Sequence, residues 1–340
     1  MSATISEQAE IRSMAHELAR RELSLRTAAI DSGDQDAWAE CWQLLTETGL
    51  DRALLDERHG GVGLGVAELL TVVEELAIGD GGIAMSVLLC NAALATLSDE
   101  QLAGLGEGAR WALVPATSGT ELAISNGQLD GNIACALGCH GVDGVVLLAL
   151  DRSSPATWAL HANTAGLKFK RDLAQLGLRG AAAASLELQD VSAPSTDCDT
   201  VIDGASASAL LYAGTAAIAR GIARRAHEMA FEYAQARQQG GVAIIEHDAV
   251  SDMLTAMAVR LTCRPEMLIE ASGKLRLAQS LAAKIAATDA AVATTTDAVQ
   301  VFGGTGYMVE TGIEKLMRDA KYCQLFPQAN WLLYRELTKA

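Results

Sequence analysis

The sequence predicts an α+β fold in three consecutive parts: an N-terminal helical domain (residues 1–107), a middle β-domain (108–195) and a C-terminal helical domain (196–340). In the first and third parts, apolar residues recur at helical spacing. In the second part, short apolar or alternating runs are separated by Gly, Asn, Asp and Ser turns. The chain has 340 residues, more than one compact core usually holds, which favours several packed units.

The first part is predicted to be a succession of helices. Thr4, with Glu7 three residues later, fits a capping box, and residues 69–76 carry apolar side chains at helical spacing. The glycines of segment 60–65 resemble a phosphate-binding loop in composition. No predicted strand precedes them and no Lys-Ser or Lys-Thr pair follows, so we interpret them as a turn.

The middle part has the pattern of a small sheet domain. Its apolar or alternating runs predict strands at residues 111–114, 145–150, 157–160 and 185–188.

The third part returns to helical periodicity. The predicted helices cover residues 204–238, 246–273, 275–302 and 328–339. Four helices of this kind predict a C-terminal four-helix bundle. Pro265 is expected to kink or divide the second helix.

Composition excludes several classes of function. The net charge of −16 disfavours nucleic acid or an anionic membrane as a partner, and no apolar run reaches the roughly 20 residues of a bilayer span. The start of the chain has no signal-peptide pattern, and the seven scattered cysteines favour a reduced compartment, so we expect a cytoplasmic protein. Cys135, Cys139 and His140 are zinc-ligand residue types, but no second ligand pair is visible and no metal site is predicted.

Several segments of the third part suit a dinucleotide. Arg237 can form a forked contact with a pyrophosphate. The turn Gly303-Gly304 lets a ligand approach the backbone, and the Gln300 amide can bond nucleotide edges. Taken alone, Gly303-Gly304 would be interpreted as a helix end.

In register, these segments resemble the acyl-CoA dehydrogenase family. The resemblance rests on Arg-Gln-Gln-Gly-Gly at 237–241, Glu-His-Asp-Ala-Val at 246–250, Gln-Val-Phe-Gly-Gly-Thr-Gly-Tyr at 300–307 and Arg-Asp-Ala-Lys at 318–321. It implies a helical, β and helical architecture with a shortened middle domain, FAD as cofactor and an acyl-CoA substrate. The cofactor-binding residues that it implies are Arg237, Gln239, Gln300, Gly303 and Gly304.

The catalytic base of the family is missing from this sequence. Where the family has Tyr-Glu-Gly-Thr, the chain has Phe-Pro-Gln-Ala at 326–329, so that Pro327 replaces the glutamate. The family's alternative glutamate, just before an arginine, corresponds to Leu211 and Tyr212. We therefore assign no catalytic residue. The nearest carboxylates, which we interpret as solvated helix or turn residues, are Glu232, Glu246 and Glu310.

The middle part also departs from the family. Residues 114–120 do not match the Thr-Glu-Pro segment that contacts flavin and substrate, and Cys135 stands where an aromatic packs on the flavin ring. The residues retained are those that the family gives to a neighbouring subunit's flavin.

This pattern resembles the short, base-less subunit of heteromeric acyl-CoA dehydrogenases of bacterial steroid side-chain degradation. The implied assembly is a heterotetramer with a homologous subunit that carries the catalytic glutamate, and electron-transfer flavoprotein is a candidate acceptor. Two alternatives stay open: a flavin-free structural or regulatory homologue, and a self-sufficient homo-oligomeric dehydrogenase with a relocated base.

Overall fold

The computed structural model describes residues 5–106, 108–116, 122–125, 127–139, 141–150, 156–170, 175–192, 202–262 and 275–337. Helices, two stacked sheets and a second set of helices follow one another in the predicted order. The boundaries at 107/108 and 195/196 remain predictions.

The N-terminal part contains six α-helices. They are α1 (Ile5–Leu18), α2 (Ser24–Ser32), α3 (Gln35–Glu47), α4 (Val66–Gly79), α5 (Gly81–Ala95) and α6 (Asp99–Ala103). A π-helical turn at Ala19–Leu23 joins α1 to α2. Asp34 caps α3 through the backbone N–H groups of Asp36 and Ala37. The capping box predicted at Thr4 lies outside the described residues.

Helix α5 is the centre of the molecule. Every residue from Gly81 to Ala95 is buried, and the helix packs against α4, α7 and the first strand. Asp80 caps it by accepting hydrogen bonds from the backbone N–H groups of Gly82 and Ile83. An added Cβ at Gly82 would lie 2.5 Å from the Ala181 nitrogen, so the β-domain approaches this helix closely.

The middle part forms two sheets. Its strands are β1 (Trp111–Ala116), β2 (Leu122–Ser125), β3 (Gln128–Ala136), β4 (Gly144–Ala149), β5 (Thr157–His161), β6 (Leu167–Lys170) and β7 (Ala184–Ser192). One sheet has the order β1-β4-β5, with β1 parallel to β4, and the other has the antiparallel order β2-β3-β7-β6. Inward-facing apolar residues of both sheets share one core.

The predicted strands β1, β4, β5 and β7 are confirmed, whereas β2, β3 and β6 were not predicted. Those three strands have exposed or polar positions, and the pairing of β3 with β7 shifts register twice. A polar, bulged strand has no clean alternation, and cross-strand pairing rather than sequence pattern stabilises it.

Within residues 202–262 and 275–337, the C-terminal part forms five α-helices and a hairpin of two short strands. They are α7 (Gly204–Ala236), β8 (Gln238–Gln239), β9 (Val242–Ala243), α8 (Asp248–Arg260), α9 (Leu277–Phe302), α10 (Ile313–Leu325) and α11 (Asn330–Leu337). Helices α7 and α9 pack along each other, and α8 and α10 each pack against both of them.

The predicted composition of the bundle was therefore wrong in one member. The fourth helix is α10, which contains the Arg-Asp-Ala-Lys motif, and the helix predicted at 328–339 is the short α11, which packs on α9. A turn of only four residues separates α10 from α11, so periodicity alone did not distinguish the two. The predicted kink at Pro265 lies outside the described residues. Among those that are described, no helix is both long and apolar enough to span a bilayer.

A buried ionic cluster joins the three parts of the molecule. On α10, Lys315 Nζ lies 2.6 Å from Asp319 Oδ2 and 3.1 Å from Asp80 Oδ2 at the start of α5. The Leu178 N–H, from the end of the β-domain, donates to Asp319 Oδ1 at 2.6 Å. Burial by itself disfavours the ammonium, yet the two carboxylates raise the pKa of Lys315. This cluster fixes α10 against both other parts.

Candidate functional site

The predicted cofactor-binding residues lie where α7 and α9 end. The rings of Tyr233 on α7 and Phe302 on α9 are stacked, with centroids 4.3 Å apart and planes 15° from parallel. Arg237 follows Tyr233 by one helical turn and donates its backbone N–H to the Tyr233 carbonyl at 2.9 Å. Gly303 directly follows Phe302. The aromatic stack therefore brings the ends of the two helices together.

Beyond α7 the chain turns in the hairpin of β8 and β9. Gly240 and Gly241 have φ values of +65° and +88°, which glycine adopts without strain. The Ile244 N–H donates to the Arg237 carbonyl at 2.9 Å, which closes the hairpin. The side chains of Arg237 and Gln239 are exposed on this edge, where they are free to meet a ligand or another chain.

The glycine turn after α9 distinguishes the two interpretations of Gly303-Gly304. Gly303 has a φ of +61° and ends the helix, so the helix-end interpretation explains this residue. At Gly306 an added Cβ would lie 2.6 Å from the Val299 carbonyl oxygen, which is also an internal reason for glycine.

Neither explanation, a positive φ or a crowded Cβ position, accounts for the glycine at position 304. Its φ is not positive, and an added Cβ would meet no atom of the described residues within 4 Å. The turn is exposed, as is Gln300 one turn earlier. The open space at Gly304 fits a ligand backbone or nucleotide that approaches from outside the chain. This uncrowded backbone leaves room for the FAD that the resemblance implies.

The predicted solvated carboxylates Glu232, Glu246 and Glu310 are all exposed in the structure. A base that removes a weakly acidic proton works best in a dry pocket, where burial raises its pKa toward neutrality. None of these three carboxylates has that environment.

The two positions at which the family carries its base meet in the structure. The Tyr212 hydroxyl on α7 donates to Gln328 Oε1 at 2.9 Å, one residue after Pro327. Tyr212 is 4% exposed and packs with Leu281, Ile285 and Leu333, whereas Leu211 is buried in the main core. The side chains at these positions and beside them are a phenol, an amide, a proline and a leucine, and none of them is a carboxylate.

Sequence reasoning missed Lys284 and Asp289 on α9, which hold this region. Lys284 donates to two backbone carbonyls and to Asn330, while Asp289 accepts from Gln324 before the loop and from Asn330 and Tyr334 after it. The sequence signal for Lys284 was a lysine among apolar residues of an alanine-rich helix, between Leu281 and Ile285.

The β-domain contributes one contact to the same region. Cys135 on β3 is exposed, and its Sγ lies 3.0 Å from the Tyr322 hydroxyl on α10. Although the residue as a whole is exposed, desolvation of its thiol raises the pKa of Cys135. Cys139 is buried, and His140 lies outside the described residues. Within the part of the chain that is described, no three His, Cys, Asp or Glu side chains form a metal-binding group.

Comparison with known proteins gives a consistent family. Residues 5–103 match the acyl-CoA dehydrogenase N-terminal domain, and residues 212–326 match the acyl-CoA dehydrogenase C-terminal domain. A cyclohex-1-ene-1-carbonyl-CoA dehydrogenase of Geobacter metallireducens is 28% identical over 356 aligned positions, which cover 93% of each chain.

Solved structures have the same fold. Butyryl-CoA dehydrogenase from Megasphaera elsdenii superposes with a TM-score of 0.81 at 23% identity, over 100% of this chain and 99% of that one. The Tcur3481-Tcur3483 steroid ACAD superposes with a TM-score of 0.84 at 18% identity, over 98% of this chain and 97% of that one. The predicted fold, with its helical, β and helical parts, is confirmed.

The prediction of FAD as the cofactor is confirmed at the level of the family, whose structural neighbours include proteins that hold FAD. The two matched regions together span more than half of the residues, and they bracket the β-domain on both sides. The chain belongs to the acyl-CoA dehydrogenase family.

Proposed function

We propose that the chain is the non-catalytic subunit of a heteromeric, FAD-dependent acyl-CoA dehydrogenase. In this assembly it contributes Arg237, Gln239, Gln300, Gly303 and Gly304 to a flavin held mainly by a homologous partner subunit. One observation carries the proposal: a glycine turn and an arginine lie exposed at one end of the bundle, while no carboxylate occupies either base position.

The residues of this chain would bind and orient the cofactor rather than react. The Arg237 guanidinium would neutralise the pyrophosphate, and the backbone at Gly303 and Gly304 would lie against the nucleotide. Bound FAD supplies a hydride acceptor. The substrate would lose a proton from Cα and a hydride from Cβ, which gives a 2-enoyl-CoA, and the partner's glutamate would take the proton.

The exposure of the five residues supports a shared site. A chain that held its own flavin would be expected to enclose these groups in a cavity. Here they face solvent, so a second chain is needed to exclude water from the cofactor. Electron-transfer flavoprotein remains the proposed acceptor, and the steroid substrate rests on the resemblance described above.

The test compares the chain alone with the chain co-expressed with a longer homologue that carries an intact base, such as one encoded by a neighbouring gene. We expect little bound flavin in the chain alone, and co-purification with flavin when the partner is present. A yellow homo-oligomer with near-stoichiometric flavin that dehydrogenates acyl-CoA would contradict the proposal and support a self-sufficient enzyme. Stable co-purification without flavin would support a structural or regulatory homologue.

A further inference from the structure

The junction between α10 and α11 (residues 324–330) is held by a single buried cation. Lys284 Nζ donates to the Gln324 carbonyl at 3.0 Å, the Gln328 carbonyl at 2.7 Å and Asn330 Oδ1 at 2.6 Å. Lys284 lies on α9 and is 0% exposed. Its acceptors belong to the last turn of α10, to the connecting loop and to the first residue of α11, so one side chain ties all three together.

Asp289, just over one turn further along α9, holds the same junction through its donors. Its Oδ1 accepts from Gln324 Nε2 and from Asn330 Nδ2, each at 2.7 Å, and its Oδ2 accepts from the Tyr334 hydroxyl at 2.9 Å. Helix α9 therefore presents a cation to the carbonyls of the junction and an anion to its N–H and O–H groups. Lys284 is buried and Asp289 is partly buried, and polar groups that are matched in this way stabilise one conformation of a loop.

This conformation of the junction determines which side chain lies at the family's base position. Gln328 follows Pro327, and its Oε1 accepts the 2.9 Å hydrogen bond from the Tyr212 hydroxyl. Because the Gln328 carbonyl is bound by Lys284, the backbone of Gln328 cannot shift without breaking that contact. The side chain is thereby kept against Tyr212.

We infer that Lys284 is a positioning residue: its three hydrogen bonds keep the α10–α11 junction closed, with Gln328 against Tyr212, at the place where the family carries its base. The inference concerns this chain's own loop and does not depend on a shared flavin. Besides lacking the base, the loop is then held in one defined, closed conformation.

The three acceptors match the ammonium form of Lys284. An ammonium group has three N–H donors and a neutral amine has two, so all three hydrogen bonds need the protonated side chain. Burial lowers the pKa of Lys284 from its ordinary value because the acceptors carry no charge.

Amide hydrogen exchange of the peptide 324–333 measures this opening. The reporters are the Phe326 N–H, bonded to the Tyr322 carbonyl, and the Leu332 N–H, bonded to the Ala329 carbonyl. The variant is Lys284→Met, which keeps the apolar stem but removes the donors. The matched control is Lys321→Met, because Lys321 is exposed and bonds only the side chain of Gln324 in this junction.

We expect Lys284→Met to lower junction protection at least about tenfold. Lys321→Met should stay within about twofold of wild type. Protection in Lys284→Met that matches the control would overturn the inference. Should that variant fail to fold, Lys284→Gln, which keeps an N–H donor on a shorter side chain, is measured in its place, and protection equal to that of the control overturns the inference.

Discussion

Replacement of Lys315 by methionine is the most direct test of how α10 is fixed in the molecule. Lys315 lies between Asp319 at 2.6 Å and Asp80 at 3.1 Å, and both carboxylates are essentially inaccessible to solvent. Lys315→Met leaves two buried anions that face each other without a counter-ion. Each keeps its backbone donors, such as the Leu178 N–H to Asp319 at 2.6 Å, so the cluster is weakened and not emptied.

Removing one partner of a buried ion pair typically costs about 3–5 kcal/mol, because the remaining charge stays desolvated. We therefore expect Lys315→Met to lower the free energy of unfolding by about that amount. The loss should shrink as the pH falls below about 5, because a protonated carboxyl no longer needs the cation.

Guanidinium unfolding monitored by circular dichroism gives the free energy, with Lys321→Met as the control on the same helix. Lys321 is exposed, so its replacement should change stability by less than about 0.5 kcal/mol. If Lys315→Met unfolds within about 1 kcal/mol of this control, the cluster does not join the three parts as argued.

Three further predictions concern the candidate flavin site and the missing base. The first two are tested in the co-expressed complex and the third in the isolated chain. Arg237→Ala removes a charge-assisted contact worth about 1.5–3 kcal/mol and should weaken flavin binding roughly 10- to 150-fold. Arg21 is an exposed arginine far from this site in the sequence, so Arg21→Ala should leave flavin binding unchanged. Equal flavin affinities of the two variants would refute the role of Arg237. Gly304→Val should lower flavin content without lowering the melting temperature, because no described atom crowds that position. Gly106→Val is the matched control at another open glycine, and full flavin occupancy in Gly304→Val would favour a simple turn. Pro327→Glu in the isolated chain should not create acyl-CoA dehydrogenation, because the sequence also predicts the loss of the flavin-ring contacts. Measurable turnover above wild type would show that only the base was lacking.

Much of the fold was predictable because it follows from local pattern. The runs that became β1, β4 and β7 are apolar or alternating and half or fully buried, and a buried strand needs such side chains whatever its partners. The long helices α7 and α9 combine high helix propensity with apolar periodicity over many turns. Where the chain pairs through polar, bulged backbone, as in β3, the pattern carried too little information.

Part of the candidate site was predictable because it lies in contiguous motifs. Arg237 and the turn after Phe302 were identified together from residue type and spacing. The structure added the Tyr233–Phe302 stack that brings them to one end of the bundle, and it separated the roles of the two glycines. Gly303 ends a helix, whereas no backbone angle or contact within the described residues requires a glycine at position 304. Sequence alone does not make that distinction, because it depends on where surrounding atoms lie.

By itself, the sequence determined the family and the order of helical and β parts, and it predicted the loss of a carboxylate at both base positions, since each depends on residue identity at particular points of the chain. Only the tertiary structure decided that Tyr212 and Gln328, 116 residues apart, close on each other, and that a lysine inside α9 holds their loop. The physical reason is that burial determines what a polar side chain does. A lysine in water is a solvated charge, whereas Lys284, buried between two carbonyls and an amide, donates hydrogen bonds that hold a loop in one conformation.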